Sequence, residues 1–221
     1  MKLDPSVYVL IDPDQTFGHE PVALARAAAQ SGATLIQLRD KRGAIRPAIE
    51  LARAMTAALA PLGVPLLVND RVDVAMAAGA DGVHLGQDDM DPATARRLLG
   101  PRAIIGQTVK TAAHVAALPP GAVDYAAVGG VFATLSKNNP EPPLGLAGLA
   151  LRIAALKARK AGLPVVAIAG IDAGNAGDVI RAGADGVAVI SAVAKAADPA
   201  AAVAAIRQAV DKAVEEARGA R

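Results

Sequence analysis

The chain contains no cysteine, which excludes disulfides and thiolate metal sites. Aromatic residues make up only 2% of it, so Ala, Val, Leu and Ile have to form the core. The formal charge is +2, and Lys and Arg are dispersed among acids. A nucleic-acid binder would carry a basic stripe instead, so no nucleic-acid partner is expected. No run of about 18 apolar residues escapes a proline or a charge, and no membrane span is expected. The first residues, Met1 to Pro5, lack the apolar stretch of a signal peptide, so a cytoplasmic location is the expectation. Neither a Ser–His–Asp constellation nor a glycine-rich P-loop can be read.

What is there is apolar bulk with regular punctuation. Runs with the look of buried strands begin near Val7 (VYVLI), Thr34 (TLIQLR), Pro65 (PLLVN), Gly82 (GVHL), Ala103 (AIIGQ), Tyr125 (YAAV), Val165 (VVAI) and Gly186 (GVAVI). Their near-continuous apolar character implies burial on both faces, as in a parallel sheet. Ala-rich stretches with helical spacing lie between them, including Glu20–Gln30, Arg46–Ala60 and Leu146–Lys160, and a last helix is expected over roughly Pro199–Ala217. Even-numbered strands follow Gly-Ala pairs (Gly32-Ala33, Gly79-Ala80, Gly121-Ala122, Gly183-Ala184). Strands three, five and seven follow Gly then Pro (Gly63/Pro65, Gly100/Pro101, Gly162/Pro164). Glycine suits the left-handed residue that ends a helix, and proline cannot continue one. This two-unit rhythm suggests four related βαβα quarters, hence one α/β domain over residues 1–221, a (β/α)8 TIM barrel. An open doubly wound sheet is the alternative. Asp91-Pro92 and Asp198-Pro199 read as helix starts, and Asp172 as a cap for the helix after strand seven. The longest loop, about Phe132–Gly145, is a candidate lid.

In a parallel α/β chain the residues just past the strand ends share one face. Strand two ends in Gln37-Leu38-Arg39-Asp40-Lys41, and alternation sends residues 37, 39 and 41 to one side. Strand three ends in Asn69-Asp70, and strand four runs out to Asp89. Strand five gives Gln107-Thr108, and the loop after strand six supplies Thr134-Leu135-Ser136-Lys137. Each residue alone has an ordinary explanation: an Asp after a strand is often a helix cap, and a lone Lys or Arg a solvated charge. Together, carboxylates beside cations can hold a divalent metal and a polyphosphate, and oxygen-only ligands favour Mg²⁺. Gly170 and Ile190-Ser191, after strands seven and eight, offer main-chain N–H groups at the corner where barrels commonly bind phosphate. Of the histidines, His84 reads as a hydrogen-bonded core residue, while His19 and His114 read as exposed.

These residues resemble the thiamine-phosphate synthase family over nearly the whole chain. The matching segments are QLRDK (Gln37–Lys41), VNDRVDVAMAAGADGVHLGQDD (Val68–Asp89), TLSK (Thr134–Lys137), AIAGI (Ala167–Ile171) and GADGVAVIS (Gly183–Ser191). The resemblance implies a transferase that joins a hydroxymethylpyrimidine diphosphate to a thiazole phosphate with Mg²⁺, releasing pyrophosphate. It implies Asp70 and Asp89 as metal ligands. It assigns Gln37, Arg39, Lys41, Asn69, Thr108 and Lys137 to the pyrimidine diphosphate, with Leu38 and Asp40 inside the same binding segment. Thr134, Ser136, Gly170, Ile190 and Ser191, with Leu135 between them, would receive the thiazole phosphate. Arg39, Lys41 and Lys137 are the candidate catalytic cations. Small-molecule substrates are the implied partners, and assembly of several copies is left open.

Some positions depart from the family pattern. Thr108 stands in place of a common serine, Lys110 in place of a histidine, and Gln107 precedes them. Ala133 replaces a proline, Ser136 a threonine, and Ala169 the first of two glycines. The hydroxyls of Thr108 and Ser136 survive, while Ala169 adds a methyl near the phosphate corner. A related thiazole tautomerase shares that corner but has no need of Asp70, Asp89 or Lys137. Another phosphate-binding barrel would want a proton-transfer group inside the barrel, and none is placed. A non-catalytic binder of phosphorylated ligands completes the rivals.

Overall fold

The structure, a computed structural model, describes residues 3–119, 121–134 and 142–219. Its eight strands are β1 (Val7–Ile11), β2 (Leu35–Leu38), β3 (Leu66–Asn69), β4 (Gly82–Leu85), β5 (Ile104–Val109), β6 (Tyr125–Gly129), β7 (Val165–Ile168) and β8 (Gly186–Val189). Each pairs in parallel with the next, and β8 pairs with β1, so the sheet closes into a barrel. The open-sheet alternative is thereby excluded. The helices are α1 (Pro21–Gln30), α2 (Ile45–Leu59), α3 (Val72–Ala78), α4 (Pro92–Leu99), α5 (Ala112–Ala117), α6 (Gly145–Arg159), α7 (Ala176–Arg181), α8 (Ser191–Ala194) and α9 (Pro199–Gly219).

Alternation along each strand divides the apolar residues into two layers. Val9, Ile11, Ile36, Leu38, Val83 and Leu85 point outward and pack on the helices. Tyr8, Leu10, Leu35, Leu67, Tyr125, Val166 and Ala188 fill the barrel itself. The composition is 2% aromatic, yet both tyrosines sit at the centre, almost fully buried. Gly106 makes room for one of them: a Cβ there would lie 2.0 Å from the Tyr125 ring.

The fourfold rhythm has a structural cause at the N-terminal ends of the strands. The residue just before each even strand accepts an N–H from the first or second residue of the preceding odd strand. Val7 N donates to Thr34 Oγ1 (3.1 Å), Leu66 N to Asp81 (2.8 Å), Ile105 N to Asp124 (2.7 Å) and Val165 N to Asp185 (2.9 Å). Each bond satisfies a strand-end amide that the ladder leaves unpaired. Gly32, Gly79 and Gly183 adopt the positive φ expected of them, whereas Gly121 does not, because α5 ends earlier, on extended Leu118.

Helix capping follows the sequence at two of three places. Asp91 accepts from Thr94 N at 2.9 Å, and Asp198 from Ala201 N at 3.0 Å. Asp172 is not the cap of α7; Asn175 occupies that position. The Asp172 carboxylate instead accepts from Gly174 N at 2.8 Å, which makes a turn ahead of the helix. His19 and His114 are half-buried, not exposed.

Candidate active site

The C-terminal mouth of the barrel opens on a cavity of about 60 Å³. Strand ends from β1, β2, β4, β5, β6, β7 and β8 contribute to its wall, among them Tyr8, Gln37, His84, Thr108, Gly170 and Ser191. Its floor is a continuous polar network. Gln37 Nε2 donates to the Tyr8 hydroxyl, and the Tyr125 hydroxyl lies 3.0 Å from that of Tyr8. His84 bonds Tyr125 through Nδ1 (2.8 Å) and Thr108 Oγ1 through Nε2 (2.8 Å). Burial raises the pKa of both phenols, so they stay neutral hydrogen-bonding groups. His84 is thus the hydrogen-bonded interior residue expected, and it also lines the cavity.

Beside the cavity the rim gathers charge. Asp70 terminates β3 with φ 63°, a left-handed conformation that few residues other than glycine adopt. That turn brings its carboxyl within hydrogen-bond reach of Asp89, and Lys41 Nζ lies 2.5 Å from Asp70 Oδ2. Burial pushes the Asp89 pKa up, and adjacent Asp70 raises it further. Burial acts the same way on Asp70, but the bond from Asp89 and the Lys41 ammonium outweigh it and lower its pKa. When the pair takes up a proton on acidification, Asp89 receives it first. Among the described residues no third carboxylate or histidine joins them. Two oxygen ligands in mutual reach, open to phosphate and water, are a donor set that fits Mg²⁺.

Three buried side-chain atoms nearby have no hydrogen-bond partner: Gln37 Oε1, Arg39 Nε and Asn69 Nδ2. Buried polar groups are rarely left so, and at a site mouth they point to a ligand. Arg39 also pairs with Asp12, a buried carboxylate just past β1. Asp12 escaped the sequence reading, although it obeys the same rule as the others, a polar residue directly after a strand.

The remaining expected residues divide by position. Thr134, Gly170, Ile190 and Ser191 line the cavity with Thr108. The Leu38 side chain is fully buried among the helices, so only its main chain can serve a ligand. Asp40 accepts the N–H groups of Arg42 (3.1 Å) and Gly43 (2.5 Å) and shapes the loop after β2. Gln107 faces outward, away from the cavity, so that departure does not touch it, whereas Lys110 does line it. Leu135, Ser136 and Lys137, and with them half of the expected lid, lie outside the described residues.

A closed (β/α)8 barrel with a carboxylate pair, cations and a polar-floored cavity at its catalytic end is, in class, a phosphate-handling barrel enzyme. Comparison with known proteins narrows this. Residues 7–193 match the family described as thiamine monophosphate synthase. The thiamine-phosphate synthase of Agrobacterium fabrum is 53% identical over 192 residues, 87% of either chain. That of Xanthobacter autotrophicus is 47% identical over 190 residues, 86% of this chain and 88% of its own. A solved thiamine phosphate pyrophosphorylase from Pyrococcus furiosus superposes with a TM-score of 0.83 at 33% identity, covering 96% of this chain and 98% of its own. The chain belongs to the thiamine monophosphate synthase family, a family of transferases in thiamine biosynthesis.

Proposed function

We propose that the chain couples 4-amino-2-methyl-5-(diphosphooxymethyl)pyrimidine to a thiazole phosphate, giving thiamine phosphate and pyrophosphate, with Mg²⁺ held by Asp70 and Asp89. One observation carries this reading: a carboxylate pair beside Lys41, surrounded by buried polar atoms of Gln37, Arg39 and Asn69 that lack partners. Magnesium, when bound, supplies positive charge to the leaving diphosphate. Arg39, Lys41 and Asn69 hold the same diphosphate with N–H donors, and Lys137 adds a further cation to it. Gln37 and Thr108 orient the pyrimidine on the tyrosine-lined floor. Thr134, Gly170, Ile190 and Ser191 receive the thiazole phosphate across the cavity, and the family resemblance assigns Ser136 to the same phosphate.

The reaction asks little of nucleophilic side chains. Cleavage of the C–O bond leaves a pyrimidinylmethyl cation that the electron-rich aminopyrimidine stabilises. The thiazole nitrogen then forms the new C–N bond, and the electron pair of the broken bond departs on pyrophosphate. The protein's part is to stabilise growing negative charge and to exclude water from the cation. Both substrates carry phosphate and do not cross membranes unaided, which favours a cytoplasmic enzyme. No helix among the described residues is long and apolar enough to span a bilayer.

The test is purified protein with both phosphorylated precursors, with and without Mg²⁺, scored for thiamine phosphate and pyrophosphate. Metal-dependent appearance of both is expected. Consumption of a thiazole isomer without pyrophosphate would replace this reading with the tautomerase, and no consumption at all would leave a binder.

A further inference from the structure

Asp12 is the first residue past β1, and only 4% of its side chain is exposed. It sits at the centre of a small fixed frame. Its Oδ1 accepts from Asp14 N at 3.0 Å, and its Oδ2 from Gln15 Nε2 at 2.9 Å and from Nη1 of Arg39. Arg39 is itself 12% exposed, and its main-chain N–H donates to Ile11 O at 2.8 Å. A second pair runs parallel at the surface, with Arg42 Nε 2.8 Å from Asp14. The loops after β1 and β2 are therefore laced together twice, once in the interior and once in solvent. The Arg39 Nε edge is buried without a partner.

We infer that Asp12 is a positioning residue: its carboxylate grips Nη1 of Arg39, so that the guanidinium is already ordered when the leaving diphosphate binds beside it. An arginine held before the ligand arrives gives up little rotational freedom on binding. The planar guanidinium fork makes the device effective, because fixing one edge fixes the direction of the other. The inference rests on the function proposed above. It also makes a prediction of unexpected sign. Removing a negative charge from an anion site would ordinarily tighten anion binding, whereas loss of a positioning group loosens it.

Calorimetric titration of pyrophosphate in the presence of Mg²⁺ separates the two. Arg39→Met should weaken binding about tenfold or more, the size expected for a lost charged hydrogen bond. Asp12→Asn should weaken it about three- to tenfold, and the double variant should bind within about twofold of Arg39→Met alone, because Asp12 acts through Arg39. Far-ultraviolet circular dichroism checks folding. Should Asp12→Asn not fold, Asp12→Glu keeps the charge on a longer arm and is expected to fold and bind more weakly than the parent.

Equal or tighter binding by Asp12→Asn, with Arg39→Met still weak, would overturn the inference while leaving the functional reading intact. An Asp12→Asn loss that persists undiminished in the Arg39→Met background would overturn it too, as would parental affinity in Asp12→Glu. Parental protein that binds no pyrophosphate with Mg²⁺ would remove both the functional reading and the inference.

Discussion

Replacing Ala169 by glycine should make the protein more stable. Ala169 closes β7 with φ 98°, where a Cβ crowds the backbone, and Gly170 follows with φ 67°. The second residue of the turn has no room for a side chain, since a Cβ on Gly170 would lie 2.5 Å from Ala133 O and 2.6 Å from Phe132 Cβ. Phe132 N also donates to Ala169 O at 3.1 Å, which pins the turn against the loop after β6. A left-handed residue bearing a Cβ costs about 1–2 kcal/mol, and glycine gives back about 0.5–1 kcal/mol through the greater freedom of its unfolded chain. The net gain should be about 0.5–1 kcal/mol, equivalent to a Tm rise of about 1–4 °C for a chain of this size. Differential scanning calorimetry measures the shift, and urea unfolding should give a higher midpoint at unchanged slope. A variant melting at or below the parent would refute the reasoning, because the methyl would then contribute more by packing than the turn loses by strain. The same substitution removes a group from the cavity wall, so KM for the thiazole phosphate is the companion measurement.

Asp124→Ala should cost about 1–2 kcal/mol, since Ile105 N loses its acceptor and Arg96 its charged partner, with kcat and KM unchanged because the site is at the opposite end; urea denaturation and steady-state kinetics check this. Ser191→Ala should change KM for the thiazole phosphate little if the main-chain N–H is the principal donor, and a large rise would assign the contact to the hydroxyl. The Tm increase produced by Mg²⁺ should shrink as pH falls. Asp89 has a raised pKa, so on acidification protons compete for the ligand before an ordinary carboxylate would titrate; scanning fluorimetry from pH 8 to 5 reads the effect.

The barrel was legible because its period is written twice. Apolar strands recur eight times, and Gly-Ala and Gly-Pro alternate ahead of them. The residues that make those quarters alike, Thr34, Asp81, Asp124 and Asp185, follow or nearly follow the Gly-Ala pairs, and only coordinates show them reaching across to the neighbouring strand. At the rim, polar residues after strands three and four lead directly to Asp70 and Asp89, whose carboxyls do meet. Leu38 shows where that logic stops: adjacency in a binding segment does not say which face a side chain takes, and period-two alternation turns this one to the helices. The tyrosine network was invisible for another reason. Tyr8 and Tyr125 read as two apolar residues inside strands, and their hydroxyls acquire meaning only once the barrel brings residues 117 apart in sequence to 3.0 Å. Asp12 needed no coordinates to be noticed, only the same question asked of the first strand.

The most direct test is the coupling rate as a function of Mg²⁺ concentration for the parent protein and for Asp70→Asn. The parent should rise from little activity to saturation, and the variant should show almost none at magnesium concentrations that limit the parent. Turnover by Asp70→Asn equal to that of the parent at limiting Mg²⁺ would contradict the account, because the carboxylate pair would then hold neither the ion nor the leaving group.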